Sequence, residues 1–432
     1  MSRYKAYEKY KDSGIEWLGD IPEHWRISKH KYIAKFQKGK NPSLLMDNNL
    51  KGTLKYLSMD FLRGNSSSLL FAKAESNSYV AKKNQTLIIW DGSNAGEFVK
   101  AEEGIVSSTM AASELISSIE INYYWFACVC LEPEMRRCAN GMGIPHVDGE
   151  ELKESILTIP LDAEQIQIAA FLDHETAKID DLIDKQQQLI ALLKEKRQAV
   201  ISHAVTKGLN PDVVMKDSGV EWLGDVPAHW DVKKLKYLCS LQTGDKNTED
   251  AIDDGDYPFF VRSQIVERLN SYTADCEAVL TAGDGVGVGK VFHYIVGKFD
   301  FHQRVYMMNN FKSVTGKYFF RYLENMFHKV ALDGGAKSTV DSLRMPVFMN
   351  FQFTVPPKSE QNHIISFIEA NNMIFDNITL KTARAIQLLQ ERRTALISAA
   401  VTGKIDVRKW LSPSLPHINS MQQGNVDQNN SK

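Results

Sequence analysis

The sequence predicts an α+β protein built twice, in which two tandem α/β modules are joined by two long antiparallel coiled-coil helices. Two internal repeats support this fold class. Residues 11–25, KDSGIEWLGDIPEHW, return about 205 residues later as residues 216–230, KDSGVEWLGDVPAHW, and residues 160–208 align without a gap on residues 356–404. Because self-similarity at a long period indicates a repeated structural unit, we expect a pseudo-twofold internal repeat.

The length and composition fit two large units. The chain has 432 residues, of which 43% are hydrophobic, and a formal net charge of -2. Domains of about 150 residues would give two to four of them, and the duplication favours two large units that each end in a helical segment. The predicted boundaries are 1–159 for a first module, 160–210 for a central helical spacer, 211–355 for a second module, 356–408 for a C-terminal helical spacer, and 409–432 for a disordered tail rich in Asn, Gln and Ser.

Short apolar runs bounded by glycine and asparagine predict the strands of each module. These runs are Gln85–Trp90, Gly104–Val106, Ile156–Ile159, Tyr257–Val261, Ala278–Thr281, Val291–Val296, Val305–Met308 and Phe351–Val355. Two segments with an aromatic-rich apolar face, Tyr123–Arg137 and Lys317–Val330, predict helices.

The segments after Pro160 and Pro356 carry a narrow apolar seam with the 3.5-residue period of a coiled coil. Its members include Ile179, Ile183, Ile190, Leu193 and Arg197 in the first copy, and Phe375, Ile386, Leu389 and Arg393 in the second. Polar residues interrupt the seam at matching positions, which lowers stability but fixes register. Each helix extends about 50 Å beyond its first seam residue at 1.5 Å per residue. Chain connectivity favours an antiparallel pair with the modules at opposite ends of a rod; the alternative is that each helix packs on its own module alone.

Cysteines and termini indicate a cytoplasmic protein. The five cysteines are irregularly spaced, with neither a Cys-x-x-Cys pair nor an adjacent histidine cluster, so the sequence predicts no disulfide framework and no metal site. The first residues are charged and lack the apolar core of a signal peptide. The longest apolar run, Tyr123–Leu131, is too short to cross a bilayer.

The glycine-rich run at residues 283–290, GDGVGVGK, resembles a phosphate-binding loop but departs from its pattern. Asp284 stands at the first glycine position and Val291 at the hydroxyl position. The matching run in the first module, residues 90–97 (WDGSNAGE), shares only Asp91, Gly92 and Gly96 with it. We therefore expect a tight turn between strands in both modules. The chain carries no convincing catalytic motif, so the sequence favours binding over catalysis.

Loops that differ between the modules contain side chains of the types that bind DNA. Arg, Lys, Asn and Gln reach base edges, and Lys and Arg neutralise phosphates. The candidates are Lys38, Arg63, Lys82, Lys83, Asn94 and His146 in the first module, and Arg262, Lys290, Gln303, Arg304 and Lys337 in the second. Similar frames with dissimilar loops suggest two different half-sites, which in dimeric readers lie about 34 Å apart. For any single residue, an ordinary solvated surface charge remains the alternative.

The chain resembles a specificity subunit of a type I restriction-modification system. The resemblance rests on GIEWLGDIPEHW with GVEWLGDVPAHW, WDGSNAGE with GDGVGVGK, and GMGIPHVDGEEL with GGAKSTVDSLRM. The helix starts PLDAEQIQIAAFLD and PPKSEQNHIISFIE and the helix ends RQAVISHAVTKG and RTALISAAVTGK complete it. These segments cover the chain to about residue 409.

The resemblance implies two target-recognition domains that bind double-stranded DNA, and helices that set the spacer and dock methyltransferase subunits. It also implies two methyltransferase subunits and two restriction subunits as partners. The subunit itself would hold no cofactor, and S-adenosylmethionine, ATP and magnesium would belong to the partners. We expect docking through the seam helices and through outer-face residues that include Gln165.

Two other classes of function stay open. One is a tandem adaptor that binds protein or glycan surfaces and has no DNA affinity. The other is a nucleotide-hydrolysing enzyme that uses the glycine-rich loop at residues 283–290, which predicts turnover by the isolated chain.

Overall fold

The computed structural model describes residues 4–139, 144–331, 343 and 345–411, and its fold is mixed α/β with two long helices. The chain divides into two compact units, one formed by Met1–Lys185 with Ala385–Lys432 and the other by Gln186–Arg384. Both boundaries fall inside the long helices. Residues 412–432 of the predicted tail, and Lys337, lie outside the described residues.

The first unit contains twelve of the described strands and the first helices. The strands are β1 (Tyr10–Asp12), β2 (Asp20–Pro22), β3 (Arg26–Lys29), β4 (Ala34–Lys38), β5 (Leu54–Leu57), β6 (Leu70–Ala72), β7 (Val80–Ala81), β8 (Thr86–Ile89), β9 (Phe98–Lys100), β10 (Gly104–Val106), β11 (Met110–Leu115) and β12 (Ile156–Ile159). The helices are α1 (Met59–Leu62), α2 (Ile121–Arg137), α3 (Gly149–Glu154) and α4 (Asp162–Lys207), of which α4 continues into the second unit.

The second unit contains ten described strands and the remaining helices. The strands are β13 (Met215–Asp217), β14 (Asp225–Pro227), β15 (Asp231–Lys234), β16 (Ser240–Thr243), β17 (Tyr257–Phe260), β18 (Val266–Leu269), β19 (Ala274–Ala282), β20 (Phe292–Phe301), β21 (Val305–Asn309) and β22 (Gln352–Val355). The helices are α5 (Gly316–Met326), α6 (His328–Ala331), α7 (Met345–Met349) and α8 (Lys358–Val401), of which α8 returns to the first unit.

Corresponding strands lie in the same order in the two modules, but one long hairpin of the second module is interrupted in the first, which divides its strands between two sheets. The first has sheets β4-β11-β8-β9 and β6-β5-β10-β7, and the second has a single sheet, β16-β21-β19-β20-β17-β18. Strands β19 and β20 pair continuously from Ala274 to Thr281. In the first module the same path is split into the pairs β7 with β10 and β8 with β9. Lys82 and Lys83 lie in this interruption, between β7 and β8.

The repeated PEHW and PAHW motifs anchor each module to the start of its long helix. The Trp25 indole donates a hydrogen bond to the Glu164 carboxylate at 2.9 Å, and His24 contacts the same carboxylate at 2.9 Å. In the second unit, Trp230 and His229 contact Glu360 at 3.0 and 2.8 Å. Both indoles are fully buried, so the carboxylate satisfies a donor that would otherwise be costly to bury.

The last strand of each module contacts the end of the other long helix of its unit. Thr158 on β12 donates a hydrogen bond to the Val401 carbonyl at 2.7 Å, and Thr354 on β22 donates one to the Val205 carbonyl at 2.6 Å. The last carbonyls of a helix have no partner within the helix, so these threonines supply the missing donor. Each unit therefore contains the start of one long helix and the end of the other.

The seam residues are the less exposed residues of both long helices. Ile179 and Phe375 are buried, and the remaining seam residues are half-buried, namely Ile183, Ile190, Leu193, Ile386 and Leu389. In the first unit the Arg393 Nε donates to Asp180 at 2.9 Å, and in the second unit the Arg197 guanidinium pairs with Asp376. The arginines at matching seam positions thus each bind an acid of the partner helix.

Most predicted elements are confirmed in place and type. The predicted strand Gly104–Val106 matches β10, and Tyr123–Arg137 matches α2 to within two residues. The predicted helix Lys317–Val330 is divided into α5 and α6 at Phe327. Within the described residues, no helix is long and apolar enough to span a membrane.

Candidate nucleic-acid interface

The turn at residues 283–290 lies between antiparallel strands β19 and β20, and the turn at residues 90–97 lies between β8 and β9. The prediction of a tight turn in both modules is therefore confirmed. A phosphate-binding loop leads from a strand into a helix whose N-terminus binds the phosphate. Here a strand follows the turn in each module, so residues 283–290 lack the helix that a phosphate-binding loop of this type requires.

In the second module the turn holds an acid between two predicted DNA-contacting arginines. Asp284 accepts a hydrogen bond from Arg262 at 3.0 Å on one carboxylate oxygen and from Arg304 at 2.8 Å on the other. The Asp284 side chain is 17% exposed, whereas Arg262 and Arg304 are 41% and 56% exposed. The two guanidinium groups therefore face solvent, and both are held by the less exposed Asp284 carboxylate.

Gln303 and His302 complete this cluster. The Gln303 amide donates to Asn247, and the Arg304 backbone N–H donates to the His302 Nδ1 at 2.9 Å. Burial, followed by the charge of Arg262, lowers the pKa of His302. A neutral ring is required for Nδ1 to accept that hydrogen bond, so the electrostatics and the geometry agree.

In the first module the acids of the corresponding turn also form ion pairs with basic side chains. Lys38, at the end of β4, pairs with Asp91 at 2.7 Å. At the other end of the turn, Glu97 pairs with Arg63 and, at 2.8 Å, with Arg136. Lys290 occupies the position of Glu97 in the second module, so the two turns present different charges on the same frame.

The other predicted residues are spread around these clusters. His146 is exposed and its backbone pairs with Asp91, which brings it next to the first turn. Asn94 lies half-buried within that turn, and Lys290 is exposed at the end of the second turn. Lys82 and Lys83 are exposed at the hairpin interruption.

Sequence reasoning did not select the acids Asp91, Glu97 and Asp284. A signal existed for two of them, because Asp91 and Asp284 are among the few residues that the two turns share. No cluster of three or more His, Cys, Asp or Glu side chains suited to a metal ion occurs among the described residues.

The prediction that Gln165 lies on an outer face is wrong. The side chain is 1% exposed, donates to the Pro160 carbonyl at 3.0 Å and accepts from the Glu120 backbone N–H at 2.8 Å. Gln361 makes the matching contacts with Pro356 and Thr315 at 2.8 Å. The Pro-x3-Glu-Gln motif thus builds the junction between the module and the long helix.

The outer faces of the long helices expose apolar side chains instead. Ile166 and Leu192 on α4 are each 60% exposed, and Met373 and Leu380 on α8 are 74% and 71% exposed. Scattered exposed apolar residues are common on protein surfaces, and a contact surface is marked by a contiguous apolar patch.

Comparison with known proteins identifies the family of this chain. The sequence model of the type I restriction modification DNA specificity domain matches residues 22–192 and 227–390. The chain belongs to this family. Both matches begin beside the repeated Pro-x-His-Trp motif and end within a long helix, so each copy of the family domain contains one module and the start of its helix.

Similar proteins carry the same description. The specificity subunit of type I restriction enzyme MjaVIII from Methanocaldococcus jannaschii is 28% identical over 417 residues, covering 90% of this chain and 94% of that subunit. The specificity subunit of type I restriction enzyme EcoDI from Escherichia coli is 28% identical over 189 residues, covering 44% of this chain and 41% of that subunit. A chain solved in a study of assembly and conformational transition of the type I R-M system shares the fold, with a TM-score of 0.67 and 14% identity over 88% of this chain and 98% of that chain.

Proposed function

We propose that this type I specificity subunit reads a bipartite DNA target, with one module on each half of the target. The observation that carries this proposal is that the turns at residues 90–97 and 283–290 connect corresponding strands but present different basic side chains. In the second module two exposed arginines surround Asp284, whereas in the first module a lysine and two arginines pair with Asp91 and Glu97. Arginine forks bind guanine through two hydrogen bonds, so each module would read a different sequence.

In this proposal the predicted modules, residues 1–159 and 211–355, recognise DNA. The antiparallel helices of residues 160–210 and 356–408, related by a pseudo-twofold axis, would set the number of unread base pairs. The ion pairs Arg393–Asp180 and Arg197–Asp376 support a fixed helix register. The exposed apolar residues of α4 and α8 offer the surface on which methyltransferase subunits would dock.

We assign the chemistry of the complex to partner subunits. Two methyltransferase subunits and two restriction subunits would join this chain in the cytoplasm, and S-adenosylmethionine, ATP and magnesium would bind to them. This chain would contribute the positions of bases and phosphates, through exposed arginine, lysine and glutamine side chains.

The test replaces the readers of one module and maps methylated sites in cells that carry the complete system. We expect Gln303→Ala with Arg304→Ala to relax or abolish recognition of one half-site, at a cost of about 1–3 kcal/mol for each lost bidentate base contact. Arg63→Ala with Arg136→Ala is the matched variant of the first module and should affect the other half-site. Lys216→Ala, an exposed residue on β13, serves as the control with unchanged methylation.

Two results would contradict the proposal. An equal loss of discrimination at both half-sites would show that a module is not assigned to one half-site. A complete absence of sequence-specific methylation or DNA binding by the wild-type complex would favour the adaptor class instead.

A further inference from the structure

The strongest unexplained feature of the second module is an acid at the centre of a basic cluster. DNA carries one negative charge for each phosphate, so a carboxylate in a DNA-binding surface weakens general affinity. Asp284 nevertheless stands between Arg262 and Arg304 and contacts both. Its function must therefore differ from attraction to the phosphate backbone.

The backbone around Asp284 is held in place from both sides. The Gly283 N–H donates to the Arg304 carbonyl at 2.8 Å, which ties the start of the turn to the residue before β21. Gly285 has a φ of +74°, and a Cβ at Gly287 would come within 2.5 Å of the Arg262 carbonyl. Because the turn is in direct contact with the backbone of both arginines, the backbones of Arg262, Asp284 and Arg304 are held close together, which places the Asp284 carboxylate within reach of both guanidinium groups.

The contacts leave most of each guanidinium available. Arg262 and Arg304 each use one terminal nitrogen, Nη1, on Asp284. A guanidinium carries five N–H donors in a planar fork, so the remaining donors can bind the two acceptors on the major-groove edge of guanine. Arg262 borders a cleft that Asp284, Gly285 and Val286 also line, and Val286 is 86% exposed.

The first module repeats the acid with a different cation. Asp91 occupies the same place in its turn and pairs with Lys38 at 2.7 Å. The acid is thus common to both turns while its basic partners differ, as expected for a residue that orients readers and does not itself select a base.

We infer that Asp284 is a positioning residue for sequence recognition, which holds Arg262 and Arg304 in the orientation that reads bases and restrains them from binding phosphates. This inference rests on the proposed function. Without the carboxylate, the two arginines would gain rotational freedom and bind the nearest phosphates of any DNA. Discrimination would fall while general affinity would rise.

The test compares the wild-type complex with methyltransferase and an Asp284→Asn complex, after methylation mapping has defined the target. Binding is measured on the target duplex and on an unrelated duplex over a series of salt concentrations. We expect the ratio of target to unrelated affinity to fall about tenfold or more, the loss of one well-oriented base contact. We also expect the salt slope on unrelated DNA to steepen by roughly 1 to 2, because each added phosphate contact contributes about 0.9.

Two further variants separate positioning from folding and from simple charge removal. Glu267→Gln removes one negative charge from the same cleft, and among the described residues Glu267 makes no ion pair. It should leave the affinity ratio within twofold of wild type. Asp284→Glu keeps the carboxylate and should recover part of the discrimination.

The outcomes are distinct. If Asp284→Asn leaves both the ratio and the salt slope unchanged, or lowers both affinities equally, the inference is overturned while the proposed function stands. If Glu267→Gln has the same effect as Asp284→Asn, general charge and not positioning explains the result. If the wild-type complex itself fails to discriminate its mapped target, the proposed function fails first.

Discussion

The register of the long helices allows a sharp test of their role in spacing the target. Between the ion pair Arg393–Asp180 and the ion pair Arg197–Asp376, helix α4 advances by 17 residues and helix α8 retreats by the same 17. A four-residue insertion in both helices preserves this equality. The insertion duplicates Leu192–Glu195 in α4 and residues 378–381 in α8, which lie opposite one another in that register.

The expected change follows from helix geometry. Four residues add about 6 Å at 1.5 Å per residue and turn the helix about 400°, so the seam returns to within about 40° of its original direction. Duplex DNA advances 3.4 Å per base pair. The unread gap between the half-sites should therefore grow by one to two base pairs, and both half-site sequences should stay the same because the turns are untouched.

The assay is the methylated motif in cells that carry each variant. A four-residue insertion in α4 alone displaces one ion pair from the other by about 6 Å, so it should weaken the helix pair and reduce methylation. One residue inserted in both helices rotates the seam by about 100° and should damage the pairing as well. An unchanged gap with full methylation after the double four-residue insertion would refute the reasoning.

Three further predictions follow from individual contacts. Burial lowers the pKa of His30 to about 4. The unfolded chain, with a pKa near 6.5, therefore binds the proton more strongly, and stability that is present above pH 6.5 is lost as the pH falls toward 4. Wild type should lose about 2 kcal/mol more than His30→Gln between pH 7 and pH 5, as measured by urea unfolding, and equal losses would contradict it. Glu164→Ala should destabilise by about 3 kcal/mol and Glu360→Ala by about 1 to 2 kcal/mol, because the Glu164 side chain is 6% exposed and the Glu360 side chain 29%. Tryptophan fluorescence during denaturation checks this difference, and the reverse order would argue against it. Finally, the chain should co-purify with two methyltransferase subunits, and a different ratio would count against two docking sites.

The long helices were predictable because their signal is local and repeated. A seam of constant period persists over many turns, and the structure gives those positions the lower exposure. The glycine-rich turns were also predictable, since the first-module copy lacks what a phosphate site needs. In both cases the duplication acted as an internal control on the interpretation.

The extents of β19 and β20 were not predictable in the same way. Residues Asp275–Glu277 lie in β19 although two of them are acidic, and Lys298 and Asp300 lie in β20. These residues belong to strands because Asp275–Glu277 pair with residues 296–298 of β20, and Asp300 pairs in parallel with Phe259 of β17 across a long sequence separation. Strand propensity depends on such neighbours, so the sequence alone shortens both strands.

The candidate site shows the same limit. The basic residues were selected by type, but Arg262, Asp284 and Arg304 are separated in the chain and meet only through sheet pairing. The acidic partners of the basic residues could not be assigned without knowledge of the sheet pairing. The position of Gln165 was predicted wrongly for a related reason. The start of α4 packs against the first turn of α2, where the Glu120 backbone N–H donates a hydrogen bond to the Gln165 side-chain oxygen.

The anchors of the first module have a consequence for how such a protein changes over generations. Trp25, Thr158, Glu164 and Gln165 all have identical counterparts in the other half, at Trp230, Thr354, Glu360 and Gln361, and they make the contacts that join module to helix. The turn lies between Trp25 and Thr158, and from this stretch Glu120 contacts Gln165 through its backbone N–H, which any residue other than proline supplies. A recombination event with one crossover in each flanking segment would replace the whole reading surface and leave the joint intact. A lineage could thereby acquire a new target in a single genetic step, without first passing through an unstable intermediate.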